Sequence, residues 1–77
     1  MNKARRKELE SIVSIIESAA ESLEYTISDE EDAYDRLPES LQESQRGDEM
    51  EENISDLNDA LSSLEEAVEI INDVISK

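Results

Sequence analysis

The chain has 77 residues, no cysteine, no histidine and a net charge of −15, from 22 acidic and 7 basic side chains. These counts exclude a disulfide framework and the usual zinc, haem and iron–sulfur sites, and a chain this short forms one small domain. No apolar run approaches the roughly 20 residues that cross a bilayer, and no signal-peptide core follows the basic start. We therefore expect a cytoplasmic protein with no membrane partner.

The first predicted element is a long helix over residues 3–36. Its apolar residues recur with alternating steps of four and three, the 3.5-residue period of a helix that packs against another helix. Leu37 precedes Pro38 and leaves helical geometry, so the helix ends there. A competing helix start at Ser28, with Glu31 three residues later, leaves a kink or break as an alternative. The ladder consists of Leu9, Val13, Ile16, Ala20, Leu23, Ile27, Glu30, Tyr34 and Leu37.

The next segment, residues 37–47, is predicted to be a loop that contains a short helical turn. Pro38 suits the first residue of that turn, and Gly47 suits a left-handed residue that closes it. Asp48 and Glu51 have the spacing of a capping box. In this motif the side chain of each residue accepts a hydrogen bond from the backbone amide of the other. The second helix is therefore expected to begin beside them.

The second long helix is predicted over residues 49–76, with the same step along its ladder. Two such helices joined by one loop predict an all-α fold, a single antiparallel, coiled-coil-like hairpin domain over residues 1–77. Each helix has a third column of apolar residues beside the two columns of its ladder. A seam between two helices buries mainly two columns per helix, so two hairpins can pair into a four-helix bundle. The second ladder consists of Met50, Ile54, Leu57, Leu61, Leu64, Val68, Ile71 and Ile75.

The columns beside the two ladders differ in chemistry when the ladder residues are placed at heptad positions a and d. Position e of the first helix is always glutamate: Glu10, Glu17, Glu24 and Glu31. Position g is small or apolar at most places in both helices: Ile12, Ala19, Thr26, Ala33, Asn53, Ala60, Ala67 and Val74. Closure through position e would oppose like charges, so we expect the hairpin to close along its g columns. Two residues that lie opposite each other in the hairpin, one on each helix, would then have residue numbers that sum to 86.

The carboxylate columns are candidate partner-binding residues. The e column of the first helix is joined by an f column on the second, which consists of Glu52, Asp59, Glu66 and Asp73. Residues 8–76 carry 22 acids and two bases, and this field repels nucleic acid and anionic membranes but attracts a basic protein surface. Tyr25, an outward aromatic among carboxylates, is a further candidate anchor. The leading hypothesis is an acidic protein–protein interaction module that inhibits a basic, nucleic-acid-binding surface.

The alternative function is a self-assembling structural hairpin without a ligand. Its candidate oligomer surface lies at the end of the hairpin that holds the chain termini, where apolar side chains at positions c and g come together. A heterologous partner with basic flanks is an open alternative there. The surface consists of Ile12, Ile15, Ile70 and Val74.

Catalytic and metal chemistry have little support in the sequence. The acidic cluster at residues 29–35 lacks the ligand spacing and turn glycine of a calcium-binding loop, and a continuous helix points its side chains in several directions. Acid–base catalysis by two carboxylates needs a pocket that shifts one pKa, for which a hairpin has little room. We expect no enzymatic activity, no metal and no cofactor.

The loop carries the most distinctive residues of the chain. Its string LPESLQESQRGDEME, with Leu37, Pro38, Arg46, Gly47 and Met50, resembles a group of short acidic proteins from phage and bacterial genomes. That resemblance implies no particular activity. The architecture is also similar to Rop-like hairpins, which dimerise into a four-helix bundle and bind RNA. The charge of this chain is opposite in sign to what RNA binding requires.

Overall fold

The computed structural model describes residues 1–77 as three helices: α1, Lys3–Asp35; α2, Glu39–Gln42; and α3, Gln45–Ser76. The long helices α1 and α3 pack against each other as an antiparallel hairpin, which confirms the predicted all-α fold. The Cα trace measures 58 × 15 × 12 Å. The molecule is therefore a rod two helices wide and one helix thick.

Helix α1 begins and ends close to the predicted residues. Asn2 is its N-cap, and the Asn2 Oδ1 accepts from the backbone amide of Arg5 at 2.8 Å, which satisfies one of the free amides of the first turn. The helix passes through Ser28 without a break, so the alternative start there is wrong. It ends at Asp35, with Arg36 as its C-cap. The apolar ladder, which resumes at Tyr34 after Glu30, outweighs the local capping signal.

Helix α3 begins earlier than predicted, at Gln45 rather than near residue 49. Ser44 is its N-cap, and the Ser44 hydroxyl donates to the carbonyl of Leu41 at 2.5 Å instead of capping an amide of α3. The predicted capping box of Asp48 and Glu51 lies inside the helix and is wrong. The additional turn contains Gly47, a poor helix former, so its packing against Gln42 of α2 accounts for it better than helical propensity does.

Gly47 is buried within the first turn of α3, and no glycine of the chain has a positive φ. The predicted left-handed closing residue is therefore wrong. A Cβ at this position would clash with the backbone carbonyl of Gln42 and lie 2.7 Å from the Gln42 Cα. The glycine is required because α2 and α3 approach closely, which is the other common reason for glycine in a turn.

The short connection differs from its predicted form in one further detail. Pro38 is the N-cap of α2, with φ −55° and ψ 147°, and not the first residue of the helical turn. Its extended ψ separates the helical turn of α2 from the end of α1. The Pro38 carbonyl then accepts from the amides of Leu41 and Gln42 at 2.8 and 3.0 Å, which closes the single turn of α2.

The seam between α1 and α3 is built from the a and d columns. Val13 and Ile27 are buried, and every other ladder residue is half-buried. The register is fixed at both ends, since the Arg6 guanidinium donates to the carbonyl oxygen of Lys77 at 2.6 Å and the Tyr34 hydroxyl donates to Glu51. The residue numbers of these two pairs sum to 83 and 85, close to the predicted 86.

The g columns are not enclosed by the hairpin. Ile12 and Ala19 of α1 are exposed, and Ala67 and Val74 of α3 are only half-buried. The prediction that the hairpin closes along its g columns is wrong, because bulky a and d side chains occupy the seam and leave e and g on its two sides. The hairpin therefore has two broad faces, one bordered by each column.

The close approach at the turn predicts an unusual stability effect for Gly47→Ala. Alanine ordinarily stabilises a helix by about 1 kcal/mol relative to glycine. Here the new Cβ meets backbone that cannot move freely, so we expect the free energy of unfolding to fall by about 1–3 kcal/mol. Urea denaturation followed by circular dichroism measures it.

The control for this substitution is Ser55→Ala, at an exposed position of α3. A change within about 0.5 kcal/mol is expected there. A stabilising effect of Gly47→Ala would contradict the close approach of α2 and α3.

Candidate protein-binding surfaces

One broad face of the hairpin is acidic. Glu10, Glu17, Glu24 and Glu31 are all exposed along α1, and Glu65 is exposed at position e of α3. At 1.5 Å per residue the α1 carboxylates recur about every 10 Å. We call these five residues the acidic face.

A groove of about 260 Å³ runs between α1 and α3 at the centre of the acidic face. Its walls carry Glu17 and Glu24 from α1 and Glu65 from α3, with Glu21 beside them, and its floor is apolar. The seven lining residues, which we call the acidic groove, are Glu17, Ala20, Glu21, Glu24, Leu64, Glu65 and Val68. Carboxylates that border an apolar floor form a surface complementary to long basic side chains, whose stems are apolar and whose ends are charged.

The f column of α3 does not join the acidic face. Its residues follow the e column by one position, so they point about 100° further around the helix, to the outer flank of α3. Glu52, Asp59, Glu66 and Asp73 are all exposed there, and none lines the acidic groove. The two predicted carboxylate lines are thus separate surfaces.

Tyr25 lies on the outer flank of α1. Its side chain is 67% exposed, as an outward f position predicts. It follows Glu24 by one residue and therefore also points about 100° away from the acidic groove. A partner that fills the groove would not need to contact Tyr25.

The opposite broad face is largely apolar in the half of the hairpin nearest the termini, where the charged residues at positions c and g, Arg5, Glu8 and Lys77, lie at the terminal edge. Ile15 is 67% exposed, Ile70 56% and Ile12 39%, and Val74 beside them is half-buried. Positions c and g are neighbours on the helix surface, so these side chains are contiguous. We define the neutral face as Ile12, Ile15, Ala19, Ala67, Ile70 and Val74. The structure brings together the four residues predicted as an oligomer surface.

The same broad face becomes polar toward the loop. A second groove, of about 270 Å³, is lined there by Thr26, Glu30, Asn53, Asp56 and Leu57. Glu30 occupies a ladder position and is half-buried, so the seam itself is less apolar in this region. The apolar surface is therefore confined to the half of the hairpin near the termini.

Tyr34 connects the three helices at the loop end. Its hydroxyl donates to the Glu51 carboxylate of α3 at 2.5 Å, and its backbone carbonyl accepts from the side-chain amide of Gln42 in α2 at 3.0 Å. The pKa of Tyr34 is raised above its usual value of 10.0. The largest cause is the hydrogen bond to Glu51, followed by desolvation and by the negative charges of Glu51, Asp48 and Asp35. The sequence analysis missed this bond, although a register sum near 86 places the two residues opposite each other.

The remaining surfaces offer no other recognisable site. No group of three or more acidic side chains converges in a way that could hold a metal ion. None of the three helices combines the length and the apolarity that a bilayer-spanning helix needs. In comparisons with known proteins, the chain matches no family model, no curated protein and no solved structure. The two broad faces are therefore the candidate binding surfaces of the hairpin.

The Tyr34–Glu51 bond predicts a pH dependence of stability. Because the pKa of Tyr34 is raised in the folded state, the neutral hydroxyl contributes stability that is fully present below the unfolded pKa of about 10 and is lost as pH rises through the folded pKa. We expect Tyr34→Phe to be less stable than the parent chain at pH 8, with a difference that shrinks above pH 10. Urea denaturation of both chains between pH 8 and 11.5 measures this difference.

The matched control is Tyr25→Phe, which removes the other tyrosine hydroxyl of the chain from an exposed flank. Its stability difference from the parent chain should stay constant over the same pH range. A difference for Tyr34→Phe that is independent of pH would contradict the assigned role of the hydrogen bond.

Proposed function

We propose that this protein is an acidic protein–protein interaction module that binds a basic, nucleic-acid-binding surface and thereby blocks it. The observation that carries the proposal is the acidic groove, where Glu17, Glu24 and Glu65 border a floor that contains Leu64 and Val68.

The groove favours lysine and arginine side chains over other partners. Their aliphatic stems can cover Leu64 and Val68, while their charged ends reach the carboxylates on the walls. Arginine can also form paired hydrogen bonds to a carboxylate, which are stronger than neutral hydrogen bonds. Proteins that bind nucleic acid present such side chains along a surface that tracks the phosphates.

Charge density alone would make a modest competitor. A net charge of −15 over a length of 58 Å is one charge per about 4 Å, whereas duplex DNA carries one per about 1.7 Å. A competitor with less than half the charge density of its rival needs contacts that the rival lacks. The apolar floor of the acidic groove can supply them, because a phosphate backbone offers no equivalent surface to the stem of a lysine or arginine.

The test is displacement of nucleic acid from basic proteins. The chain is titrated into complexes of basic, nucleic-acid-binding proteins with a fluorescently labelled DNA duplex, and release of the duplex is followed by anisotropy. We expect release from at least one such protein, with direct binding of the chain to that protein that weakens as ionic strength rises. Direct binding that ignores ionic strength would contradict the proposal.

Two variants with equal loss of charge separate the groove from the overall field. Glu17→Gln, Glu24→Gln and Glu65→Gln together remove three charges from the groove. Each exposed ion pair contributes roughly 0.2–1 kcal/mol, so the triple variant should bind about tenfold more weakly.

The matched control removes three charges from the outer flank of α3, through Glu52→Gln, Asp59→Asn and Glu66→Gln together. It should bind within about threefold of the parent chain, because its carboxylates contribute only through the long-range field. Equal losses in the two triple variants would show that total charge, not the acidic groove, governs binding.

A further inference from the structure

We propose that the neutral face is covered by a second copy of this chain. The inference goes beyond the proposed function, because it concerns the broad face opposite the acidic groove. The observation that supports it is that the isoleucines of the neutral face are exposed to solvent, although the chain contains few apolar residues.

The isolated hairpin has a small core. Only the side chains of Val13 and Ile27 are buried, and the other residues of both ladders are half-buried. Domains of this size bury a low fraction of their surface and often gain stability by association. A second layer of helices over the neutral face would enclose Ile16 and Ile71, which adjoin it in the seam.

The exposed apolar side chains are not scattered evenly. Of the six large hydrophobic residues that are exposed, three, Ile12, Ile15 and Ile70, lie within the neutral face. The same stretch of that face carries no charged residue at positions c or g between Ser11 and Thr26 in α1. A contiguous apolar patch on so acidic a chain marks a surface that is covered in the assembled state.

The neutral face is self-complementary. A two-fold axis along the length of the hairpin lays α1 of each copy over α3 of the other, in antiparallel orientation. Ile12 then lies level with Val74 of the second copy, and Ile15 lies level with Ile70 of the second copy, in the same register as within one hairpin. Such an isologous arrangement buries both patches at once.

Charge selects a second copy over a basic partner on this face. The one carboxylate at position c in this half, Glu8, lies level with Lys77 of a second copy and is paired there, whereas a basic partner would have to bury its charge among isoleucines. Face-to-face pairing also leaves both acidic faces on the outside, where their carboxylates stay hydrated. Only the half of this 58 Å side nearest the termini is apolar, so the apolar contact is smaller than the ~800 Å² per partner of a standard interface, and the dimer should depend on protein concentration.

Self-association and binding of a basic partner respond to salt in opposite ways. Two chains of net charge −15 repel each other, and added salt screens this repulsion while leaving apolar burial intact. Dimerisation should therefore strengthen as ionic strength rises, whereas binding through the acidic groove should weaken. Failure of one proposal is thus distinguishable from failure of the other.

Sedimentation equilibrium of the full chain at about 0.05 and 0.5 M NaCl, where the Debye length falls several-fold, tests the inference. We expect the mass to approach twice the 8.7 kDa of one chain, at lower protein concentration in the higher salt. The double variant Ile15→Glu and Ile70→Glu should stay at the mass of one chain with at least a tenfold weaker dimer constant. Circular dichroism should show retained helicity, because both side chains are exposed.

Tyr25→Glu is matched to the single variant Ile15→Glu, which should already weaken the dimer, since Tyr25 and Ile15 are each 67% exposed on α1 and each substitution adds one carboxylate. It should dimerise like the parent chain. A parent chain with the mass of one chain in both salts would overturn the inference and leave the neutral face to a different occupant. An undiminished dimer of the Ile15→Glu, Ile70→Glu variant, or loss of the dimer in Tyr25→Glu alone, would overturn it as well.

Discussion

The two-column seam between α1 and α3 is the constraint on which the rest of the structure depends. Two helices can enclose only their a and d side chains, so a chain folded as a hairpin leaves two broad faces open. In this protein the two faces have opposite chemistry: glutamates with an apolar groove on one, isoleucines and alanines on the other. The two faces therefore differ in the side chains that they expose, and they lie on opposite sides of the hairpin.

The turn holds the seam in register. Pro38 ends α1, and Gly47 lets the backbone of α2 lie directly against α3. Gln42 then reaches back to Tyr34, whose hydroxyl contacts Glu51 across the seam. Because side chains on a helix repeat every 3.6 residues, a small shift at the turn would rotate the ladder of one helix away from the other. Pro38, Gln42 and Gly47 of the loop thus each have a structural role in the turn.

The ladders predicted the helices, their antiparallel pairing and a register within a few residues, because periodic apolar patterns record which side chains face a partner. The turn was less predictable. A glycine at position 47 is compatible either with a left-handed backbone or with a close approach of another backbone segment. Only the position of Gln42 in the folded chain decides between the two. The groove was missed for a similar reason: Glu17 and Glu65 are 48 positions apart, and their meeting depends on how the seam is centred. The outward position of the f column, Glu52 to Asp73, could by contrast be predicted from its heptad position alone.

The central claim is that the hairpin uses its neutral face for a second copy and keeps its acidic face free. Isotope-filtered NMR on a mixture of labelled and unlabelled chains at high salt measures it most directly. The account predicts intermolecular nuclear Overhauser effects between the methyl groups of Ile15 and Ile70, and none from Ala20 or Leu64 in the acidic groove. Intermolecular effects at the groove, or their absence at Ile15 and Ile70, would contradict it.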